Sequence, residues 1–275
     1  MIKIHDLSFS YKKGRPVFDH VSFEMKSGIY GLLGENGVGK STLLRIIAGL
    51  RFPDSGHCRI DDMDSMYRSP ELLSRLFFLP EEFESPALTV SRFVKNNAAF
   101  YPNFSQEQFN QYLREFDVEE DKKISEMSFG QKKKVMISYG LSLNTPYVLM
   151  DEPTNGLDIP SKGQFRKVIA SAYDEEKCII ISTHQVRDLE SLIDPIIILD
   201  RNQVLLNNSV DEITRALVFK TSDSKPENAL YMENGLHGYS YVAPNITGEE
   251  TTMNIEMLFN AAVSNRNTFK DLFHI

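Results

Sequence analysis

The apolar positions change period several times along the chain. Ile2, Ile4, Leu7 and Phe9 nearly alternate with polar residues, and Val21 and Phe23 repeat the pattern after a turn near Gly14 to Pro16. Period-two patterning of this kind predicts paired strands. A short apolar run, Ile29 to Leu33, reads as a buried strand and leads into a glycine-rich loop. From Ser41 to Leu50 the period becomes helical, through Leu43, Leu44, Ile47 and Ala48. Between about 82 and 140 the chain is rich in aromatics at helical spacing: Phe93, Phe100, Phe104, Phe109, Tyr112, Leu113 and Phe116. Helix starts are signalled at Ser91 and Ser105, the latter with Gln108 at capping-box spacing. This stretch predicts a helical subdomain with an aromatic core, inserted into a sheet domain.

Strands return at Tyr147 to Met150, Cys178 to Ser182 and Ile196 to Leu199, separated by helical patterns at Gln164 to Tyr173 and Gln185 to Ile193. Alternation of strand and helix predicts a mostly parallel sheet with helices on its faces. Beyond about 210 the pattern weakens. Asp211 to Ala216 reads as a helix, Leu217 to Lys220, Ala229 to Met232 and Tyr239 to Val242 as strands, and Met253 to Val263 as a helix. The expected fold class is α/β: a mostly parallel sheet, an N-terminal antiparallel β part, the inserted helical subdomain and a small C-terminal α/β appendage. The expected division is 1–208, with the helical subdomain at about 82–140, and 209–275.

Composition changes this picture little. With 41% hydrophobic and 25% charged residues the chain reads as an ordinary globular protein. Its formal net charge of -8 argues against a general nucleic-acid binder, which needs a basic surface. The two cysteines, Cys58 and Cys178, are expected as reduced thiols in a cytosolic protein. The first residues lack the apolar core of a signal peptide. No apolar run approaches the ~20 residues that span a bilayer, so a role at a membrane would require another chain.

The chemistry concentrates in a few segments. Gly34-Glu35-Asn36-Gly37-Val38-Gly39-Lys40-Ser41-Thr42 fits G-x-x-x-x-G-K-[ST] and lies between a buried strand and a helix. Glycines let the backbone wrap an anion, and the turned N–H groups and helix N-terminus face phosphate oxygens. Lys40 is expected on the β- and γ-phosphates, Ser41 on Mg²⁺, and Thr42 on phosphate. Tyr147 to Met150 runs into Asp151 and Glu152. Two carboxylates at the end of a buried strand need cations or polar partners. Asp151 is expected to hold Mg²⁺ and Glu152 to orient or deprotonate the attacking water. Ile179 to Ser182 ends in Thr183-His184, and beside these motifs His184 is expected to contact the γ-phosphate.

With these residues assembled, the chain resembles the nucleotide-binding domains of ABC ATPases. Met127-Ser128-Phe129-Gly130-Gln131 is similar to the family's LSGGQ signature and lies 20 residues before Asp151. Ser128 can cap the helix that follows, whose positive end then faces a phosphate. Phe129 departs from the pattern, since it replaces the first glycine, and Lys132 to Lys134 are expected as a solvated helix face. Asp151 to Asp158 resembles the Walker B segment running into the D-loop. Glu81 stands where the family has a glutamine, and a carboxylate there can also ligate Mg²⁺.

The resemblance implies that Ser128, Gly130, Gln131 and Asp158 serve the ATP of a second subunit. It also implies that Tyr11 stacks on adenine and that Gly34, Asn36, Gly37, Val38 and Gly39 cradle the phosphates. The implied protein is an ATP-hydrolysing subunit of an ABC transporter. It would be peripheral on the cytoplasmic face of the cell membrane, and would close head-to-tail on an identical or paralogous chain. It would drive integral membrane subunits docked near residues 81–88. The compact N-terminal domain and Ile255 to Phe259 resemble the ABC-2 export type. The alternative is a soluble ABC ATPase acting on nucleic acid or ribosomes. Relatives of that kind carry long coiled-coil insertions or a second ATPase domain, whereas this chain has a single phosphate loop.

Overall fold

The computed structural model describes residues 1–235 and 238–274. Strands β1 (Ile2–Lys12) and β2 (Arg15–Met25) form a hairpin, and β3 (Gly28–Leu33) runs into the glycine-rich loop and α1 (Lys40–Ile47). Then follow β4 (Ser55–Ile60), β5 (Met63–Asp64), α2 (Pro70–Ser74) and β6 (Leu76–Leu79). The helical insertion contains α3 (Val90–Asn97), α4 (Gln106–Glu115) and α5 (Phe129–Ser142). The chain returns through β7 (Tyr147–Asp151), α6 (Ile159–Ala172), β8 (Cys178–Thr183), β9 (Ile196–Asp200) and β10 (Gln203–Asn208). The C-terminal part comprises α7 (Val210–Ala216), β11 (Leu217–Ser222), β12 (Tyr231–Gly235), β13 (Gly238–Pro244), α8 (Ile255–Ser264) and α9 (Arg266–Phe273).

The central sheet has the order β10-β9-β3-β8-β7-β6. All its neighbours are parallel except β10, which turns back antiparallel on β9. The N-terminal strands form a separate antiparallel sheet, β2-β1-β4-β5, and the C-terminal strands a third, β11-β13-β12. The expected α/β architecture is thus present. Side chains of the central strands alternate between two cores, as the pleat requires. Ile179 and Ile181 of β8 face the helical side, and Ile180 faces α1 and the N-terminal sheet. Ile196 and Ile198 against Ile197 and Leu199 repeat this on β9. Phe109, Phe116 and Tyr112 are buried in the first core, and Leu258 and Phe269 of the C-terminal helices share it. Cys58 and Cys178 are free thiols in the second core, and burial pushes each up to about 12.

Several local expectations need correction. Residues Gln185 to Ile193 form no α-helix, only a 3₁₀ turn at Val186–Asp188 and further turns. Their polar groups are drawn to neighbouring elements: Lys162 of α6 donates to Gln185 Oε1 and Asp188 Oδ2, and Glu190 Oε1 accepts from the Ile255 N–H. The third helix starts after Thr89, whose hydroxyl accepts from the Arg92 N–H, rather than at Ser91. Ser105 does cap α4, but Gln108 does not complete a capping box. Its Oε1 accepts from Asn144 Nδ2 at 2.5 Å instead. Lys132 to Lys134 are not one solvated face. Lys133 is fully buried, and Lys134 Nζ donates to the Phe116 carbonyl at 3.2 Å. The final helix, α9, had no counterpart in the sequence pattern.

Candidate active site

Strand register gathers the predicted residues at one edge of the central sheet. Leu33 pairs with Thr183, Asp151 with Ser182, and Leu79 with Met150, so β3, β8, β7 and β6 end side by side. The phosphate loop, His184, the Asp151-Glu152 pair and Glu81 follow directly from those ends. An edge formed by the carboxyl ends of parallel strands is the general binding crevice of such sheets. Here it holds a cavity of about 540 Å³, lined by Tyr11, Asn36, Gly37, Gly39, Lys40, Ser41, Thr42, Glu81, Glu152 and His184 among others.

The loop geometry explains its glycines. Gly39 has φ +118°, and a Cβ there would lie 2.8 Å from Val17 Cγ1 and 2.9 Å from Phe18 Cζ. Only glycine fits both the backbone angle and the space. Gly34 is tight in another way, with Val38 Cγ1 2.6 Å from where its Cβ would stand. Gly34 and Val38 pack against each other and do not line the cavity.

The buried charges are compensated in a definite way. Lys40 Nζ donates to the carbonyls of Gly34 (2.7 Å) and Glu35 (3.3 Å) and lies 3.9 Å from Glu152 Oε1. Burial pulls its ammonium below the ordinary lysine range, and the charges of Glu152, Asp151 and Glu81 oppose that shift. Asp151 is 1% exposed and accepts from Ser182 Oγ at 2.5 Å. Glu152 Oε1 meets His184 Nδ1 at 2.8 Å, while Glu152 Oε2 is buried with no hydrogen-bond partner among the described residues. Glu152 also has a left-handed backbone, φ +47°, with its N–H held by Ser182. Glu81 Oε1 accepts from Asn155 Nδ2 at 2.9 Å, and Asn155 Oδ1 accepts from Gln185 Nε2 at 3.2 Å.

Tyr11 reaches the cavity from the N-terminal sheet. Its hydroxyl is 2.9 Å from Thr42 Oγ1, and the Arg51 guanidinium lies 5.8 Å from its ring centroid.

The signature residues are elsewhere. Ser128, Gly130, Gln131 and Asp158 do not line the cavity. Ser128 and Gln131 form a full capping box at the start of α5, with Ser128 Oγ accepting from the Gln131 N–H (3.3 Å) and Gln131 Oε1 from the Ser128 N–H (3.1 Å). Asp158 is exposed and caps α6, accepting from the Ser161 N–H at 2.9 Å; the Ser161 hydroxyl and, after it, this N–H hold its carboxyl below the usual range. The sequence reading missed Asn155 and Val17 at the cavity and Ser182 beneath it. Asn155 was visible as part of the Asp151 to Asp158 segment; nothing in the pattern marked Val17 or Ser182.

Known proteins match both the chain and the fold. The family model described as ABC transporter matches residues 18–155. An ABC transporter ATP-binding protein of Methanocaldococcus jannaschii is 30% identical over 79% of this chain and 81% of its own. The ABC transporter ATP-binding protein NatA of Bacillus subtilis is 27% identical over 87% of this chain and 100% of its own. The methionine import ATP-binding protein MetN of Carboxydothermus hydrogenoformans is 34% identical over 78% of this chain and 67% of its own. A solved structure of an ATP-binding subunit of an ABC transporter superposes with a TM-score of 0.70 at 26% identity, covering 78% of this chain and 92% of that one. The chain belongs to the ABC transporter family.

Proposed function

We propose that two copies of this cassette, or this chain and a paralogue, close head-to-tail around ATP and drive a transporter through separate membrane subunits. The observation that carries this is the division of the site. The phosphate loop, Glu81, Glu152 and His184 share one cavity, with Asp151 buried behind Glu152, whereas the capped start of α5 faces outward with Ser128 exposed. An exposed helix N-terminus with a satisfied capping box presents positive potential to an anion. A second copy supplies that anion as its own bound ATP.

The donor set suits a polyphosphate with a hard cation. Loop N–H groups and Lys40 hold the phosphates, Tyr11 stacks on adenine, and Ser41, Asp151 and Glu81 offer oxygens to Mg²⁺. Bound Mg²⁺ supplies charge neutralisation on the phosphate oxygens. His184 fixes Oε1 of Glu152 and so orients the carboxylate that takes a proton from the attacking water. Ser128, Gly130, Gln131 and Asp158 complete the partner's site.

Among the described residues no helix is long and apolar enough to cross a membrane. The reading therefore places the chain at the cytoplasmic face, held by integral membrane subunits. A hollow of about 600 Å³, lined by Leu50, Leu73, Phe78, Phe100 and Tyr139, lies between the sheet domain and the helical insertion; it includes none of residues 81–88 and is proposed as the docking surface in their place. Export is the proposed direction. It rests on the compact cassette and the tail helix at 255–259. MetN, by its name an import protein, is the relative that points the other way.

Size-exclusion chromatography of Glu152→Gln with ATP tests the closure, and co-purification from detergent-solubilised host membranes tests the partner. A nucleotide-dependent dimer and a multi-span membrane protein in near-equal amount are expected. A variant that binds ATP yet stays monomeric, or recovery of ribosomes or DNA-associated proteins instead, would overturn the reading.

A further inference from the structure

Lys133 is 0% exposed, and its ammonium meets the main chain of Glu152. Nζ donates to the main-chain carbonyl of Glu152 at 2.6 Å and lies 5.0 Å from the centroid of the Phe129 ring. Burying an ammonium is costly unless it is paired and hydrogen-bonded. Here the compensation is a single carbonyl, an aromatic face and the nearby field of Glu81, Glu152 and Asp151. Burial still pulls the Lys133 ammonium below the ordinary lysine range, against the pull of those carboxylates. An apolar side chain would pack there without that cost, so packing alone does not account for a lysine.

The groups that Lys133 joins are significant. Glu152 adopts φ +47°, which a side-chain-bearing residue holds only when its surroundings fix it. Ser182 fixes it from the amide side, through its carbonyl and Oγ, both 3.1 Å from the Glu152 nitrogen. Lys133 fixes it from the carbonyl side. The next residue is Pro153, so the following peptide offers no N–H to help. Phe129, in turn, packs its ring on the D-loop: a Cβ at Gly156 would lie 2.7 Å from Phe129 Cδ1.

We propose that Lys133 is a positioning residue for Glu152 and that, with Phe129, it couples the signature helix to the hydrolytic carboxylate of the same chain. This rests on the reading above, in which Glu152 acts on the attacking water and the start of α5 faces the partner's ATP. Lys133 lies about one turn beyond Gly130 on α5. A shift of the first turn, when the partner's nucleotide docks, moves Nζ and with it the Glu152 peptide. Engagement of one ATP then sets the carboxylate that serves the other. The phenylalanine in place of a signature glycine gives the buried ammonium its second contact.

The test is a double-mutant cycle on the full chain, reading steady-state ATP hydrolysis. Lys133→Met is expected to lower kcat about 10–100-fold with KM for ATP within about 3-fold, the pattern of a lost transition-state contribution. The dependence of rate on ATP concentration should become less cooperative. In a Glu152→Gln background, Lys133→Met should lower the residual rate by less than about 2-fold, because its effect passes through Glu152. Equal losses in both backgrounds would overturn the coupling. If Lys133→Met fails to fold by thermal melting, Phe129→Ala carries the same cycle, since Phe129 is 44% exposed. Wild-type protein without ATP turnover would instead remove the proposed function itself.

Discussion

His184 Nδ1 lies 2.8 Å from Glu152 Oε1, and the other oxygen of that carboxylate is enclosed with no hydrogen-bond partner among the described residues. The bond to His184 fixes the orientation of the carboxylate, as a base needs. Glu152→Gln should cut hydrolysis about 10²–10⁴-fold with ATP binding retained. His184→Ala, which removes one hydrogen bond to a charged group, should cost roughly 10–100-fold. Single-turnover hydrolysis beside equilibrium nucleotide binding separates the two effects; near-normal turnover in Glu152→Gln would exclude it as the base.

Glu81 brings a second carboxylate to the cavity beside Glu152 and is tied to Asn155. If it ligates Mg²⁺, Glu81→Gln should raise the free Mg²⁺ needed for half-maximal hydrolysis by about 10-fold. Titration of Mg²⁺ at fixed ATP measures this. An unchanged midpoint would leave Asp151 and Ser41 as the proposed protein ligands.

The Tyr11 hydroxyl is spent on Thr42, while its ring faces the cavity. Ring and hydroxyl can therefore be separated by mutation. Tyr11→Phe should bind ATP within about 3-fold of wild type, and Tyr11→Ala should lose the stacking contribution of about 1–3 kcal/mol. Fluorescent-nucleotide titration of both variants distinguishes adenine stacking from a role in holding the phosphate loop.

Much of this site was legible because each motif is local and each ends a buried strand. The phosphate loop, Asp151-Glu152 and His184 follow runs of apolar residues, and parallel pairing aligns those ends without further information. Lys133 was not legible. In sequence it is the middle of three lysines, a solvated pattern, and its burial depends on Glu152, 19 residues away, and on the Phe129 ring. The segment after His184 failed as a helix for the same kind of reason: its polar side chains are taken up by α6 and α8, contacts that no local period encodes.

Asp61 provides a pH-dependent tie between the two larger sheets. Burial pushes its carboxyl up, but bonds from the Met1 amino group, the Tyr147 hydroxyl and Arg75 outweigh this and hold it below the usual range. A carboxyl whose folded pKa is depressed contributes stability above its unfolded pKa and loses it as pH falls through the folded value. Asp61→Asn should therefore destabilise the protein by roughly 1–3 kcal/mol at neutral pH, with the difference from wild type shrinking at acid pH below the ordinary aspartate range. Thermal melting across pH 7 to 3 checks the sign.

The placement of the two cysteines makes the folded protein a poor target for thiol chemistry. Both sulfurs are enclosed in the same core and stay protonated, since burial pushes their thiols up to about 12, and the thiolate is the reactive form. Maleimide should leave the native chain unmodified and label both positions only as it opens. The rate of labelling thus becomes a built-in clock for opening of the core that joins the N-terminal sheet to the strands that carry the phosphate loop and His184, and ATP, as a ligand of the folded form, should slow that clock.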